Sequence, residues 1–528
     1  MDQVSVAGGE AAAGFRRSPL SGGSWFNAIV AACVLGGLLL FYGSVYPIHH
    51  DLAGSVLSGR LSVVLGDAYR EYSIYFPPAE RIWFSAAARL SDVTGLRLDL
   101  AIVAMSAVAM LFSAGLAYRI RHATVGASPL FFPLSVALLI VLPVLFKNVF
   151  GMREHLVALG LWPYLILRIS DPEGTRIGRG TRVVVGLWAG ATLTIKYLYS
   201  VVVMLIEIAD ALIQRRPSDL FRIENVAAGS VVALYLLLWL GVDPSQRAAI
   251  GVMFSAIDAA LQDPAFNRLK IIQQAGYAIG FGIALRGFQV PYRLIALALA
   301  SIAGAAIAAA SQERWFTHHL FPIFMAYIFW WWATRKQWPW WAHAGFVLCL
   351  AYPLAYQFGE TAEYRRDVRV VDQAIRGAGL SVAGKKVGVL TMHPSPYNQY
   401  LARQNAVRWN TFMNIAYVSA ELKAFDRKEN AGKTPPPVTL ADAGRRLIHN
   451  QMIRLWEDQA PDVLIFDHSY SWPLRHIEVR WEQVFSNDRR FKAILSRYHP
   501  ALTVDEKRVK FTYWVRRDET PSSIQRKN

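Results

Sequence analysis

The sequence predicts a mainly α-helical protein that crosses a membrane about eleven times and ends in a water-soluble α/β domain. Of the 528 residues, 54% are hydrophobic and 18% are charged, whereas soluble proteins carry roughly 25% charged residues. Long apolar stretches recur over the first two thirds of the chain and then stop. The 17 Trp, 22 Tyr and 27 Phe residues fit such a protein, because aromatic side chains accumulate at membrane–water interfaces.

The apolar stretches have about the length that a helix needs to cross a bilayer, although several are short. They cover about residues 26–47, 98–118, 130–146, 156–167, 183–195, 197–213, 226–240, 271–285, 294–310, 320–332 and 341–357. Arg16 and Arg17 precede the first stretch, so the positive-inside rule places the tail of residues 1–25 in the cytoplasm. An odd number of spans then places the C-terminus on the other side of the membrane.

The predicted spans divide the chain into a transmembrane domain, residues 26–358, and a C-terminal domain, residues 359–528. The transmembrane domain has a long first external loop, residues 49–97, whose apolar residues recur at helical spacing. That pattern is typical of amphipathic helices that lie in the plane of the membrane interface.

The C-terminal domain has the charge density of water-soluble sequence. Residues 386–392 and 462–466 predict strands, and residues 440–459 predict an amphipathic helix. Residues 508–515 alternate in polarity, which indicates an edge strand or one arm of a hairpin. We therefore expect an extracytoplasmic α/β domain.

Charge and cysteine content exclude several classes of protein. The formal net charge is +17, but the basic residues lie between apolar stretches or in the C-terminal third, without the compact basic surface that binds nucleic acid. Cys33 and Cys349 both lie within apolar stretches, so we expect no disulfide framework. No glycine-rich phosphate loop stands between a strand and a helix, so ATP hydrolysis is not expected.

Polar residues follow the first predicted span. His49, His50 and Asp51 stand at its end. Asp51 lies where an interfacial helix begins, and a partly desolvated carboxylate at that depth can act as a general base. The alternative is an ordinary solvated helix end. His50 and, later in the loop, Glu71 are further candidates for substrate binding, as are His155, His318 and His319 in later links.

Two later links carry charge close to the membrane. The link FGMREHL holds Arg153, Glu154 and His155, and charges at such a depth tend to face a functional cavity. The alternative is an Arg153–Glu154 ion pair that pins a helix hairpin. Lys196 stands alone between two apolar stretches. It suits a phosphate group, or else it only extends its ammonium group to the interface.

The stretch SQERWFTHHLFPI, residues 311–323, lies between two later spans. Arg314 is a candidate phosphate ligand, with His318 or His319 as hydrogen-bond partners. Adjacent histidines on one helix point in different directions, and no HExxH spacing occurs. We therefore expect no metal site.

These motifs and their order resemble the GT-C superfamily of membrane glycosyltransferases, which use polyprenyl-phosphate-linked sugars. The resemblance covers about residues 26–358 and rests on HHD, YREYSIYFPPAERIW, FGMREHL, the Lys196 hairpin and ERWFTHHLFP. In a bacterial branch of the superfamily, Gly-Gln-Arg-Glu-His is common between spans three and four. Here Met152 replaces the glutamine.

The resemblance implies sugar transfer with inversion, at the outer face of a bacterial inner membrane, to a glycan, lipid or protein acceptor. It implies Asp51 as the catalytic base, Glu154 as the second acidic residue, and Arg153, Lys196 and Arg314 as ligands of the donor phosphate. It implies no cofactor besides the lipid-linked donor. The alternatives are a transporter or flippase for a lipid-linked or anionic solute, and a non-catalytic subunit of an envelope assembly.

Overall fold

The computed structural model describes residues 22–519, apart from residues 70–77, 127, 147, 242–243, 245–250, 252–263, 313–316, 393–394, 411–417, 432, 440–442, 470–475 and 507. Within that part of the chain helices dominate, and a five-stranded sheet lies in the C-terminal domain. The predicted fold class, a mainly α-helical membrane protein with a C-terminal α/β domain, is confirmed.

The helices of the transmembrane domain follow the predicted apolar stretches. In chain order they are α1 (Gly22–Leu40), α2 (His50–Leu65), α3 (Pro78–Thr94), α4 (Leu98–Val125), α5 (Phe131–Leu145), α6 (Arg153–Ser170), α7 (Arg179–Ile195), α8 (Ser200–Gln214), α9 (Ile223–Leu240), α10 (Pro264–Gly287), α11 (Tyr292–Ala310), α12 (Thr317–Thr334) and α13 (Trp340–Gly377). Helices α2 and α3 belong to the first loop, and each predicted span falls on one of the others.

Several helical segments are long and apolar enough to cross a membrane on their own. Among the described residues they are Trp25–Ser44, Leu98–Val125, Tyr197–Gln214, Ile223–Leu240 and Tyr292–Ala310. Their length and composition make the chain a multi-pass membrane protein.

Helix α6 lies at the centre of the bundle. Every residue from Glu154 to Arg168 is buried, as expected of a helix that is apolar on nearly all sides. Glu154 and Arg168, near its two ends, are separated by about 21 Å along the helix axis, from the rise of 1.5 Å per residue. One helix therefore positions two separate charged sites.

The first loop folds into two packed helices, as its spacing predicts. Helix α2 crosses α3 at Gly59, where an added Cβ would lie 2.4 Å from the carbonyl carbon of Phe84. Only glycine allows so close an approach of the two backbones. Arg60 Nη1 and Asp92 Oδ1, 2.9 Å apart, join the same helices at the surface.

One continuous helix, α13, connects the transmembrane domain to the C-terminal domain, because it runs through the predicted boundary at residues 358–359. The remaining elements are β1 (Lys386–Leu390), α14 (Tyr397–Arg403), β2 (Val407–Arg408), α15 (Ser419–Phe425), α16 (Ala443–Asp458), β3 (Val463–Asp467), α17 (Trp481–Val484), α18 (Arg489–Leu495), β4 (Tyr498–Asp505) and β5 (Lys510–Arg516). The sheet order is β2-β1-β3-β5-β4.

Strand pairing matches most of the predicted pattern. Strand β1 runs parallel to β2 and β3, with Val387 opposite Val463, and β5 pairs antiparallel with both β3 and β4. Every residue of β3 is buried, which is typical of a strand covered on both faces. The predicted strand at residues 508–515 is a hairpin arm. It is not an edge strand, because β4 pairs with its outer side.

The C-terminal domain packs against the first loop. Leu61 and Leu65 of α2 share a buried cluster with Val407 and Trp409 of the domain. Beside it, the backbone N–H of Leu98 donates to the side-chain oxygen of Asn405 at 2.7 Å. The domain therefore rests on the helix that begins at the His49-His50-Asp51 motif.

Candidate functional site

Asp51 lies in the first turn of α2, after a buried extended segment, residues 46–49. His49 caps the helix, since its Nδ1 accepts a hydrogen bond from the backbone N–H of Asp51 at 3.2 Å. The carboxylate itself lies 3.7 Å from His49 Nδ1, 3.6 Å from His50 Nε2 and 3.9 Å from His318 Nδ1. Its side chain is still 21% exposed, so a substrate can reach it.

Arg153 begins α6 and pairs with an acid from the first loop. Its Nη1 lies 3.3 Å from both carboxylate oxygens of Glu80. Glu80 is 1% exposed, whereas the Arg153 side chain is 26% exposed. Arg153 is therefore held from one side and open on the other.

Lys196 ends α7 and faces the buried start of α6. Its ammonium group donates a short hydrogen bond to Glu154 Oε1, and His319 Nε2 lies 4.0 Å from the same oxygen. The other oxygen, Glu154 Oε2, has no hydrogen-bond partner among the described residues. Buried carboxylate oxygens are rarely left unpaired, so this oxygen keeps an unused capacity to accept a hydrogen bond.

These side chains form one site, which we call the Asp51 cluster. It consists of His49, His50, Asp51, Glu80, Arg153, Glu154, Lys196, His318 and His319. Four separate parts of the chain contribute: the first loop, the start of α6, the end of α7 and the start of α12. The sequence left open an ion pair between Arg153 and Glu154. In the structure Arg153 pairs with Glu80 instead, and Glu154 pairs with Lys196.

Electrostatics distinguish the two carboxyl groups of the first loop. Burial alone would raise the pKa of Asp51, but the neighbouring histidines, His50 first among them, and Arg153 outweigh it and hold the pKa below its usual value. Burial raises the pKa of Glu80, because Arg153 offsets only part of the desolvation. Asp51 is therefore the carboxylate that stays ionised, as a general base requires.

Two groups of potential metal ligands occur within the cluster. They are His49, Asp51 and His318, and Glu154, His318 and His319, with ligand atoms within 4.8 Å of one another. His49 Nδ1 already accepts a hydrogen bond, and the Lys196 ammonium group already neutralises Glu154. A cation would meet an occupied nitrogen in one group and a positive charge in the other. This donor chemistry fits hydrogen bonding better than a metal, and the expected lack of a metal stays a prediction.

The adjacent histidines diverge as expected. The rings of His318 and His319 are inclined at 83°, so His318 faces Asp51 while His319 faces Glu154. The backbone oxygen of His319 also accepts a hydrogen bond from the Tyr199 hydroxyl at 3.1 Å.

His155 is held by the backbone through both of its ring nitrogens, and its predicted role in substrate binding stays a prediction. Its Nδ1 accepts from the backbone N–H of Gly151 at 3.0 Å, and its Nε2 lies 3.0 Å from the oxygen of Leu139. The ring thereby fixes the turn before α6. Glu71 and Arg314 lie outside the described residues, so their predicted roles stay predictions.

Two members of the cluster were not singled out by the sequence. Glu80 is one of several acids in the first loop, and only its position at the start of α3, after Pro77 and Pro78, marked it. His49 was noted only as part of the motif. It contacts Asp51 through the backbone as well as the side chain.

A second charged site, the Arg168 network, lies at the other end of α6. It consists of Tyr164, Arg168, Arg182, Glu207, Asp210, Glu224, Asn225 and Arg293. Arg168 is 1% exposed, and it lies 2.9 Å from Glu207 and 2.6 Å from Asp210. The sequence did carry a signal for it, because Glu207 and Asp210 are ionisable residues inside a predicted span.

Comparison with known proteins adds one distant likeness. No protein-family profile matches the sequence, and no curated protein matches it significantly. Among solved structures, the chain is similar to the crystal structure of ArnT from Cupriavidus metallidurans bound to undecaprenyl phosphate. Identity is 11% and the TM-score is 0.40, over 93% of this chain and 98% of that one. A likeness of this size does not assign the chain to a family.

Proposed function

We propose that this protein is an inverting glycosyltransferase of the GT-C type, which transfers a sugar from a polyprenyl-phosphate-linked donor to a glycan, lipid or protein acceptor. The observation that carries the proposal is the convergence of an accessible ionised carboxylate, Asp51, with Arg153, Glu154 and Lys196. A base and two cations within one cluster are the groups that a displacement at a sugar phosphate needs.

In the proposed reaction, Asp51 takes the proton of an acceptor hydroxyl. The acceptor oxygen attacks the anomeric carbon from the face opposite the leaving group and forms the new glycosidic bond. The bond between the anomeric carbon and the phosphate oxygen breaks, and the polyprenyl phosphate leaves with the bonding electrons. Its developing negative charge requires a cation nearby.

The two cations would divide this work unequally. Arg153 uses one nitrogen for Glu80 and keeps an exposed side, which makes it the better candidate for the leaving phosphate. Lys196 is 9% exposed and already paired with Glu154. Its main part would be to keep Glu154 ionised, with a smaller share in binding the phosphate. An ammonium group has three N–H donors, so Lys196 could also donate a hydrogen bond to a phosphate oxygen.

The remaining parts of the proposal concern location and cofactors. We place the cluster at the outer face of a bacterial inner membrane, with the N-terminus in the cytoplasm and the C-terminal domain outside. A lipid-linked donor needs no nucleotide there, and the cations take the charge-offsetting part that a metal has elsewhere. Membrane lipids and the lipid-linked donor are the expected partners, and no nucleic acid is expected.

The decisive experiment measures donor consumption. Purified protein in proteoliposomes is given polyprenyl-phosphate sugars one at a time, with envelope extract as a source of acceptors, and labelled sugar is followed from lipid into product. We expect transfer by the wild type and a rate about 10²–10⁴-fold lower for Asp51→Asn. Movement of intact lipid-linked sugar across the bilayer, without transfer, would instead support a flippase.

Topology is tested separately. Alkaline phosphatase fused after Gly377, where α13 ends, should be active if the C-terminal domain lies outside the cytoplasm. An inactive fusion at normal abundance would place the cluster at the cytoplasmic face and overturn the proposed location.

A further inference from the structure

The segment that leads into the helix of Asp51 depends on side chains for its backbone hydrogen bonds. Residues 46–49 are extended and buried between α1 and α2, where a carbonyl without a partner is costly. The oxygen of Pro47 accepts from Asn148 Nδ2 at 2.6 Å. The oxygen of Ile48 accepts from Gln399 Nε2 at 2.7 Å. The first partner belongs to the transmembrane domain and the second to the C-terminal domain.

Gln399 is itself fixed. It is 2% exposed, and its Oε1 accepts a hydrogen bond from Ser395 Oγ at 3.0 Å. With both ends of the amide engaged, the side chain has one orientation, in which the N–H groups face Ile48. A fixed donor of this kind sets the position of the carbonyl it binds.

Asn398 supports the next turn of the same segment. Its Nδ2 lies 3.5 Å from the oxygen of His50, and its Oδ1 accepts a short hydrogen bond from Arg408 Nη1. Arg408 is 1% exposed, so it holds Asn398 from within the domain. Two consecutive residues of α14 therefore contact the backbone oxygens just before and just after His49, and we call these two contacts the α14 grip.

His49 is the link from this grip to Asp51. It caps α2 by accepting the backbone N–H of Asp51, and its own position follows from Ile48 and His50 on either side. A movement of Ile48 would therefore displace the cap and with it the direction of the Asp51 carboxylate.

We propose that Gln399, supported by Asn398, is a positioning residue for Asp51, so that the C-terminal domain completes the catalytic geometry instead of only bordering the acceptor. The inference rests on the proposed function. It predicts an effect on turnover with little effect on donor binding. Arg153 lies on α6 and Lys196 directly follows α7, and neither Gln399 nor Asn398 bonds to the described residues of those helices.

The test compares Gln399→Met with Gln404→Met. The first keeps the length of the side chain and removes both amide groups. The second removes an amide near the end of the same helix that donates to Asp372, at 3.3 Å, and not to the first loop. We expect Gln399→Met to lower kcat by about ten- to a hundredfold, as a small misplacement of a reacting group does, while KM for the donor changes less than about twofold. Gln404→Met should match the wild type.

Two further readouts separate positioning from a general loss of structure. Hydrogen exchange in the full-length protein should rise for residues 46–53 of Gln399→Met and stay unchanged in α6. Combined with Asp51→Asn, Gln399→Met should lower the residual rate no further, because it acts only through that carboxylate. Wild-type kcat, unchanged exchange at residues 46–53, or an additive loss in the double variant would each overturn the inference. If the wild type transfers no sugar, the proposed function fails, and the exchange measurement still tests the grip.

Discussion

The two ends of helix α6 carry the same kinds of charged residue, but the residues differ in how closely they touch and how exposed they are. In the Arg168 network, three arginines face three carboxylates at contacts mostly between 2.6 and 2.9 Å, and Arg168 is 1% exposed. In the Asp51 cluster, Asp51 is 3.6 to 3.9 Å from its histidine neighbours, and it and Arg153 are 21% and 26% exposed.

The difference shows how a membrane protein uses buried charge. Where opposite charges are matched, touching and buried, they join helices α6, α7, α8, α9 and α11. Where the contacts are long and the charged side chains are partly exposed, the charges can still bind a molecule that enters. Variants at the two ends should therefore fail in different ways.

The largest effect is expected from Asp51→Asn. The change removes the base with almost no change in volume, and general bases contribute about 10²–10⁴-fold to the rate. We expect loss of transfer with an unchanged melting temperature in detergent. Asp67→Asn is the matched control, because Asp67 is an exposed acid of the same loop. Near wild-type turnover of Asp51→Asn would assign the base to another carboxylate, with Glu154 the nearest candidate.

Arg168→Met should show the opposite behaviour. Removal of one partner from a buried charge network costs about 3–5 kcal/mol, since the other charges stay buried. We expect a lower melting temperature and a smaller folded yield, with normal kcat per folded molecule. Arg179→Met, at an exposed arginine at the start of α7, is the control for loss of a positive charge. A stable but inactive Arg168→Met would mean that this network takes part in the reaction.

Lys196→Met tests the shared property of the two ends, a cation held by a buried carboxylate. A charge-assisted contact to phosphate is worth about 1.5–3 kcal/mol, or about ten- to a hundredfold in apparent donor affinity. We expect that loss, with less destabilisation than in Arg168→Met and partial recovery in Lys196→Arg. An unchanged apparent affinity for the polyprenyl-phosphate sugar would remove Lys196 from the donor site.

The smallest effect is a flat pH profile. The pKa of Asp51 lies below its usual value, so its carboxylate stays ionised as the medium becomes weakly acidic, and the base is lost only below about pH 4. We expect kcat/KM to be level from about pH 8 to about pH 5 on this account. A fall centred near pH 6.5, the usual value for histidine, would point to a histidine, instead of Asp51, as the base. Repeating the profile with Glu80→Gln removes the other carboxyl group that the first loop contributes to the Asp51 cluster.

Much of the fold follows from patterns that repeat along the chain. Each apolar stretch became a helix, and the strands at residues 386–392 and 462–466 appeared with shifts of one or two residues, because burial periodicity is a local property. For residues 508–515 the pattern left an edge strand and a hairpin arm open, and the structure shows the hairpin arm. The choice depends on a neighbouring segment, here Tyr498–Asp505, which the pattern of residues 508–515 does not encode.

The candidate site was accessible to the sequence only in part. Asp51, Glu154 and Lys196 lie where spans end on one side, so topology alone brings them near one another. The Arg153–Glu80 pair joins positions 73 apart, and no local spacing encodes it. The backbone contacts of His155 are likewise invisible, because they depend on how Leu139 and Gly151 are folded around the ring.

The hydrogen bond between Gln399 and Ile48 joins residues 351 positions apart. The ribosome makes Ile48 early and Gln399 only after every helix of the membrane bundle. Until the last domain has been synthesised and has docked on α2, the carbonyl of Ile48 lacks this partner. Closure over such a long stretch of chain is among the slower steps of folding. A chain that has been synthesised only as far as α12 would hold every residue of the Asp51 cluster, yet not the contact that aligns them.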